Sequence, residues 1–115
     1  MIDVERGAGR VVVARGDEIG EGVATDMAVD GGAPAGSEAL LLVNGFGGTP
    51  TIELYLMYNA ARRMLEQRGL RIVRSLVGSY VTSLDMAGCS LTVSLLDAET
   101  TALWDAPVRT AALKW

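Results

Sequence analysis

The stretch that most limits how this chain can fold is "ALLLVNGFGGTPTIELYLMYN", which begins at Ala39. Ala39–Val43 is apolar on both faces, which is typical of a central strand covered by helices. A glycine-rich loop, Asn44–Pro50, follows directly and leads into a segment with the spacing of an amphipathic helix. A strand, a short loop and a helix in this order predict an α/β domain in which helices lie on a sheet.

The helix after the glycine loop has the clearest pattern in the chain. Thr51–Arg68 is predicted to be helical, with Thr49 as the N-cap, Pro50 at the first helical position and Gly69 as the stop. A single apolar face is formed by four residues at helical spacing: Leu54, Tyr58, Ala61 and Leu65. We expect the helices to lie on the sheet.

The remaining segments extend the prediction to a two-layer α/β sandwich with a mixed β-sheet and helices, in the order β-α-β-α-β-β-α. The length of 115 residues fits one domain, 1–115. Segments that alternate apolar and polar residues, or that are rich in β-branched residues, predict strands, and segments rich in polar residues and glycine predict loops. The other predicted strands are Arg10–Arg15, Leu70–Gly78 and Cys89–Asp97, the other helices are Asp17–Asp30 and Glu99–Trp104, Ser79–Gly88 is a structured loop, and the tail Val108–Trp115 is extended.

Composition excludes several classes of function. The net charge of −4 and the pI near 4.7 argue against binding of nucleic acid through a basic patch. The chain has no histidine and a single cysteine, Cys89, so Ser-His-Asp sites, Cys-His sites, ordinary zinc sites and internal disulfides are excluded. No apolar run reaches the length of a membrane span and no signal segment is seen, so we expect a cytoplasmic protein that does not enter a membrane.

The glycine loop suggests a phosphate-binding loop, but the established patterns fail. The P-loop requires a lysine after its last glycine, whereas Gly48 is followed by Thr49 and Pro50. The dinucleotide pattern fails at Pro50, which also removes a backbone donor. Gly45, Gly47 and Gly48 are better explained by positive φ or close approach in a tight turn. The alternative is a loop that lines a substrate or subunit surface without gripping phosphate.

Other candidate residues each have a structural and a functional interpretation. Asp85, flanked by Thr82 and Ser83, either caps its own loop or contributes a carboxylate to a site. Asp26 and Asp30 either share a cation or form a solvated face. Cys89 is either buried or reactive. Arg62 and Arg63 either face solvent or dock a nucleotide-bearing partner, and Trp104 and Trp115 are predicted to be core or interface anchors. In each case the structural interpretation is the favoured one.

Three segments together resemble one family. "LLLVNGFGGTPTIELYLMYN", "IVRSLVGSYVTSLDMAGCSLTVSLLD" and "ALWDAPVRTAALKW" closely resemble the C-terminal part of the substrate-binding subunit of dihydroxyacetone kinases. The resemblance covers about residues 38–115, and residues 10–37 resemble the family only loosely. It implies a portion of a phosphotransferase that acts on a short-chain ketose. It also implies a homodimer and a nucleotide-binding kinase subunit or domain, separate from this chain, that carries ATP, or a phosphoprotein-linked nucleotide, and magnesium.

The same resemblance implies that the catalytic groups are missing from this chain. In that family the ketone is held covalently on a histidine of a His-Gly-Glu-Pro-Gly motif, of which Gly7 and Gly9 are the remaining trace. The acid–base pair and a lysine belong to an N-terminal domain without a counterpart here. No catalytic, cofactor-binding or metal-binding residue is therefore assigned. The candidates for a loop that lines substrate or an interface are Asn44, Gly47, Gly48, Thr49, Thr82, Ser83 and Asp85.

Two functions remain open at this stage. The first is a fragment of a dihydroxyacetone kinase that is inactive when isolated. The second is a non-catalytic dimerisation or regulatory-interaction module derived from that family.

Overall fold

The structure is a computed structural model that describes the backbone of residues 9–14 and all atoms of residues 34–115. The predicted helix Asp17–Asp30, with Asp26 and Asp30, lies outside these ranges. The described strands are β1 (Gly9–Ala14), β2 (Glu38–Gly45), β3 (Arg71–Gly78) and β4 (Cys89–Leu95), and the described helices are α1 (Thr51–Gln67) and α2 (Ala98–Asp105). Every predicted strand is present within two residues of its expected bounds, and Ser79–Gly88 is a loop, as predicted.

The four strands form one mixed sheet in the order β1-β4-β2-β3. β2 runs parallel to β3 and antiparallel to β4, while β1 pairs antiparallel with β4. The α1 helix makes the crossover between the parallel strands β2 and β3, which is the usual way to join parallel neighbours. The prediction of an α/β fold with a mixed sheet is confirmed, and the doubly apolar strand β2 has a strand on each side.

The core lies between α1 and one face of the sheet. Leu54, Ala61 and Leu65 of α1 are buried together with alternate residues of the strands, and Tyr58 and Met57 pack against them. The sheet side of the core is made by Ala39, Leu41, Val43, Ile72, Cys89, Leu91 and Val93. Because Leu54 is completely buried, truncating it to alanine would cost about 2–5 kcal/mol of stability. The predicted apolar face of the helix is confirmed.

The start of α1 differs from the prediction. Pro50 itself is the N-cap, no side chain caps the helix, and the first helical residue is Thr51. The Thr49 hydroxyl is used elsewhere, in hydrogen bonds with Gly88. The expectation of a Thr49 cap was wrong because a long-range contact competes for the same oxygen. Gly69, with φ of 92°, ends the helix as expected.

Helix α2 is fixed at both ends. Asp97 and Thr100 form a reciprocal capping box at its start. At its end, Asp105 accepts two hydrogen bonds of 2.7 Å from the Arg74 guanidinium on β3. This bidentate pair holds the pKa of the Asp105 carboxyl below its usual range.

The tail was predicted to be extended, and this was wrong. The backbones of Val108 and Trp115 exchange hydrogen bonds of 3.0 and 3.1 Å, so the last residues turn back on themselves. The Trp115 indole donates to the Trp104 carbonyl at 3.0 Å, and the ring centroids lie 5.0 Å apart. Trp115 nevertheless remains 44% exposed, so the two indoles anchor the tail to α2 rather than filling the core. Within the described residues, no helix combines the length and the apolarity needed to cross a membrane.

Candidate functional site

Two loops meet where the parallel strands β2 and β3 end. The glycine loop (Asn44–Pro50) begins with the last two residues of β2 and leads into α1, and the second loop (Ser79–Gly88) follows β3 and leads into β4. In open α/β sheets, ligands bind outside the carboxyl ends of the strands. All seven candidate residues from the sequence lie on these two loops, so the fold brings them to one edge of the sheet.

Asn44 anchors the start of the second loop. The backbone N–H groups of Tyr80 and Val81 both donate to Asn44 Oδ1 at 2.9 Å, and Asn44 Nδ2 donates to the Val81 carbonyl at 2.9 Å. The side chain is 7% exposed, so it serves the contact between the loops rather than facing a ligand. A buried amide with satisfied hydrogen bonds fixes one loop conformation, because leaving any partner unpaired would cost free energy.

Thr49 anchors the end of the same loop. Its hydroxyl accepts from the Gly88 N–H at 2.8 Å and donates to the Gly88 carbonyl at 3.3 Å. The Phe46 N–H also donates to the Gly88 carbonyl, at 3.1 Å. Between the two anchors, the Ser83 N–H donates to the Phe46 carbonyl at 2.9 Å. The backbone of the second loop is thus held at its start, middle and end.

The glycines permit this close contact. Gly47 has φ of 110°, and a Cβ there would stand 2.5 Å from the Ser83 carbonyl oxygen. At Gly48 a Cβ would stand 2.9 Å from the Met86 carbonyl, whose oxygen accepts the Gly48 N–H at 2.9 Å. Since the N–H groups of Phe46 and Gly48 already have carbonyl partners, they are not free to bind phosphate. The glycines therefore serve the packing of one loop on the other.

The middle of the second loop, Val81–Ala87, is exposed. Thr82, Ser83 and Asp85 are exposed, and the Asp85 carboxylate makes no hydrogen bond with any residue in the described part of the chain. The expectation that Asp85 caps its own loop was wrong, because the loop is held by Asn44 and Thr49 instead. Its carboxylate and the two neighbouring hydroxyls are available to a hydroxylated ligand or a polar partner.

Apolar side chains alternate with these polar ones. Val81 is 78% exposed, Leu84 is fully exposed and Met86 is 51% exposed. Large apolar groups on a rigidly held loop are typical of a contact surface, because burying them against another molecule is favourable and requires little ordering. The sequence did not reveal this property, since the same residues would look identical in a loop that buries them.

Cys89 and the arginines are placed as the structural interpretations predicted. Cys89 is 1% exposed at the start of β4, and burial raises the pKa of its thiol, so it is a packing residue. Arg62 is exposed and pairs with Glu66 at 2.8 Å. An open cleft of about 410 Å³ beside this pair is lined by Arg62, Arg71 and neighbouring residues at the start of β3. It lies at the opposite end of β3 from the two loops.

The chemistry available at the loops is limited to hydrogen bonding and one carboxylate. Within the described ranges, no group of three or more His, Cys, Asp or Glu side chains is arranged to hold a metal ion. The whole chain lacks histidine. The loops can position or recognise a hydroxylated molecule, but the described side chains supply no paired acid and base.

Comparison with known proteins identifies the family. The family model described as "Dak1 domain" matches residues 2–112. The dihydroxyacetone-binding subunit DhaK of the PEP-dependent dihydroxyacetone kinase of Escherichia coli is 52% identical over 81 residues, which are 70% of this chain and 23% of that protein. The human triokinase/FMN cyclase is 36% identical over 113 residues, covering 94% of this chain and 20% of that protein.

Solved structures agree with the sequence matches. A dihydroxyacetone kinase operon co-activator, Dha-DhaQ, superimposes with a TM-score of 0.66 at 32% identity, over 80% of this chain and 30% of that one. The chain thus covers only 20–30% of the length of these three proteins. Because the family model covers nearly all of it, the chain belongs to the Dak1 domain family.

Proposed function

We propose that this chain is the loop-bearing C-terminal portion of a substrate-binding subunit that serves phosphorylation of a short-chain ketose. The observation that carries the proposal is the docking of the two family motifs on each other at the carboxyl ends of β2 and β3. There Thr82, Ser83 and Asp85 are held on a fixed backbone with their side chains in solvent. Relatives named as erythrulose kinases and triokinase support a ketose as the substrate class.

In this proposal the isolated chain is inactive. The resemblance implies that the ketone is captured covalently by the imidazole of a histidine, and the chain has no histidine. Its single lysine, Lys114, lies exposed in the tail, far along the chain from the two loops. Phosphate transfer would use ATP, or a phosphoprotein-linked nucleotide, with magnesium on a separate nucleotide-binding subunit or domain. A cytoplasmic location and a role in glycerol and ketose metabolism fit such a subunit.

The experiment is an intact-mass measurement after incubation with dihydroxyacetone in the absence of reductant. We expect only the unmodified chain, whereas the full-length dihydroxyacetone-binding subunit of Escherichia coli serves as the positive control. A stoichiometric adduct on this chain would overturn the claim of inactivity. Formation of ketose phosphate, after a nucleotide-binding partner and ATP are added, would do the same.

A second candidate function is a non-catalytic interaction module. Two observations favour it: a structural neighbour is named an operon co-activator, and the second loop exposes Val81, Leu84 and Met86. In either function we propose self-association as a homodimer, because the chain is half apolar and, within the described residues, β1 and β3 are the edge strands of the sheet. Light scattering at micromolar concentration checks this, and a monomer mass would contradict it.

A further inference from the structure

Asn44 and Gly45 form the sequence pair that is most prone to spontaneous deamidation. In this reaction the backbone nitrogen of the next residue attacks the side-chain amide carbon, and glycine offers no side chain to hinder the approach. The only other asparagine, Asn59, is followed by Ala60 and lies exposed within α1. The chain therefore contains one asparagine that is susceptible to deamidation, Asn44, and a second one, Asn59, whose following residue disfavours the reaction and which serves as a control.

The folded structure holds Asn44 out of this reaction. Asn44 belongs to β2 and pairs with Ser90 of β4 and Gly78 of β3, so its backbone is fixed in an extended conformation. Both polar atoms of the side chain are bound to Tyr80 and Val81 of the second loop. The amide carbon cannot swing toward the Gly45 nitrogen unless these hydrogen bonds break and the strand end loosens.

We propose that Asn44 is a modification site whose reaction is gated by the second loop. When the loop opens, the Gly45 nitrogen attacks Asn44 Cγ, and the new C–N bond closes a succinimide ring. The bond from Cγ to Nδ2 breaks, and Nδ2 leaves as ammonia together with the proton from the Gly45 nitrogen. Water then opens the ring at either carbonyl and yields aspartate or isoaspartate, without any oxidant or reductant.

Either product prevents the loop from closing again. In aspartate, an oxygen replaces Nδ2 and faces the Val81 carbonyl, which now meets an acceptor where it had a donor. A carboxylate also enters a position that is only 7% exposed. In isoaspartate, the main chain gains a methylene and disturbs the register of β2 with both neighbours. One opening event is thereby converted into permanent release of the loop that carries Thr82, Ser83 and Asp85.

This inference does not depend on what the two loops bind. The reaction at Asn44 requires local opening of the second loop, and the Thr49 hydroxyl holds the other end of that loop through its hydrogen bonds with Gly88. Removing the Thr49 hydroxyl while keeping its shape, as in Thr49→Val, leaves the Gly88 N–H without its side-chain acceptor. We expect this variant to open more often without any change at Asn44 itself.

The test is peptide mapping of deamidation at mildly alkaline pH, on the folded chain, the urea-unfolded chain and Thr49→Val. We expect Asn44 to react at least about a hundredfold more slowly in the folded chain than in urea, because local opening limits the reaction. Thr49→Val should fall between the two. Asn59 is the internal control and should remain largely unmodified throughout.

Three results would overturn the proposal. In the first, Asn44 deamidates at the same rate in the folded and the unfolded chain. In the second, Asn44 deamidates no faster than Asn59 in urea. In the third, Thr49→Val folds but deamidates at Asn44 at an unchanged rate. If Thr49→Val does not fold, hydrogen exchange of the Tyr80 and Val81 amides in the unmodified sequence replaces it. Those amides donate to Asn44, so their exchange and deamidation should accelerate in parallel as urea is added. Divergence of the two rates would refute gating by this loop.

Discussion

Gly47→Ala tests the claim that the glycines allow the two loops to dock. Two separate penalties act at this position. A side chain at φ of 110° strains the backbone by about 1–3 kcal/mol. The new Cβ would also stand 2.5 Å from the Ser83 carbonyl oxygen, which belongs to the backbone and cannot rotate away. Moving Ser83 would break its 2.9 Å hydrogen bond to Phe46, at a cost of about 1–3 kcal/mol.

The chain provides matched controls for each penalty. Gly36 has φ of 86° but nothing within 4 Å of its Cβ position, so Gly36→Ala carries only the backbone strain. Gly48 does not have a positive φ, but its Cβ would stand 2.9 Å from the Met86 backbone, so Gly48→Ala carries only the contact. All three substitutions restrict the unfolded chain in the same way, so that contribution of about 0.4–1 kcal/mol cancels in the comparison.

Urea unfolding of the three variants gives the answer. We expect the free energy of unfolding to fall by about 2–5 kcal/mol in Gly47→Ala, and by at least about 1 kcal/mol less in Gly36→Ala. Gly48→Ala should also be destabilised despite its ordinary φ. If Gly47→Ala and Gly36→Ala agree within about 0.5 kcal/mol, which is the spread expected for neutral surface changes, the contact with Ser83 has no energetic importance.

Three further predictions follow from contacts described above. Thr49→Val should lower the free energy of unfolding by about 1–3 kcal/mol, because the Gly88 N–H loses its acceptor. Thr51→Val, at an exposed position, is the control in urea unfolding. If both substitutions lower the free energy of unfolding equally, the prediction is contradicted. Arg74 lowers the pKa of Asp105, so their pair stabilises the fold above the unfolded pKa of that carboxyl and ceases to do so as pH falls through the folded pKa. The difference in urea midpoint between the unmodified chain and Asp105→Asn should therefore shrink from neutral to acidic pH, and a constant difference would show that the ion pair is not its source. ATP with magnesium should not raise the melting temperature relative to magnesium, whereas a ligand at a hundred times its Kd would add about 2.7 kcal/mol; a clear rise would mean that the loops bind nucleotide.

The sequence predicted those parts of the fold that depend on local patterns. The alternation in Cys89–Leu95 and the helical spacing of Leu54, Ala61 and Leu65 follow from which side of an element faces the core, and these were correct. The Thr49 cap failed because a residue far along the chain, Gly88, competes for the same hydroxyl. Rules based on neighbouring residues cannot predict a hydrogen bond between residues so far apart in the chain.

The sequence predicted where the candidate site lies, but not what each of its residues does there. The residues of the two loops could be named because their motifs resemble a family, but their roles could not be separated. Asn44 and Asp85 look equally suited to a ligand in the sequence, yet one is 7% exposed between the loops and the other lies in solvent. Only the meeting of the loops, which depends on strand order, distinguishes an anchoring residue from an exposed one.

The pairing of Trp104 with Trp115 has a consequence for spectroscopy. These are the two tryptophans of the chain, and their ring centroids lie 5.0 Å apart where the tail meets α2. Indole emission therefore originates from one small region, outside the core formed by α1 and the sheet. A fluorescence melt will record detachment of the tail, while the circular dichroism of the helices and sheet follows the rest of the chain. Two midpoints that disagree would then show the tail unfolding first, within a chain whose core is still folded.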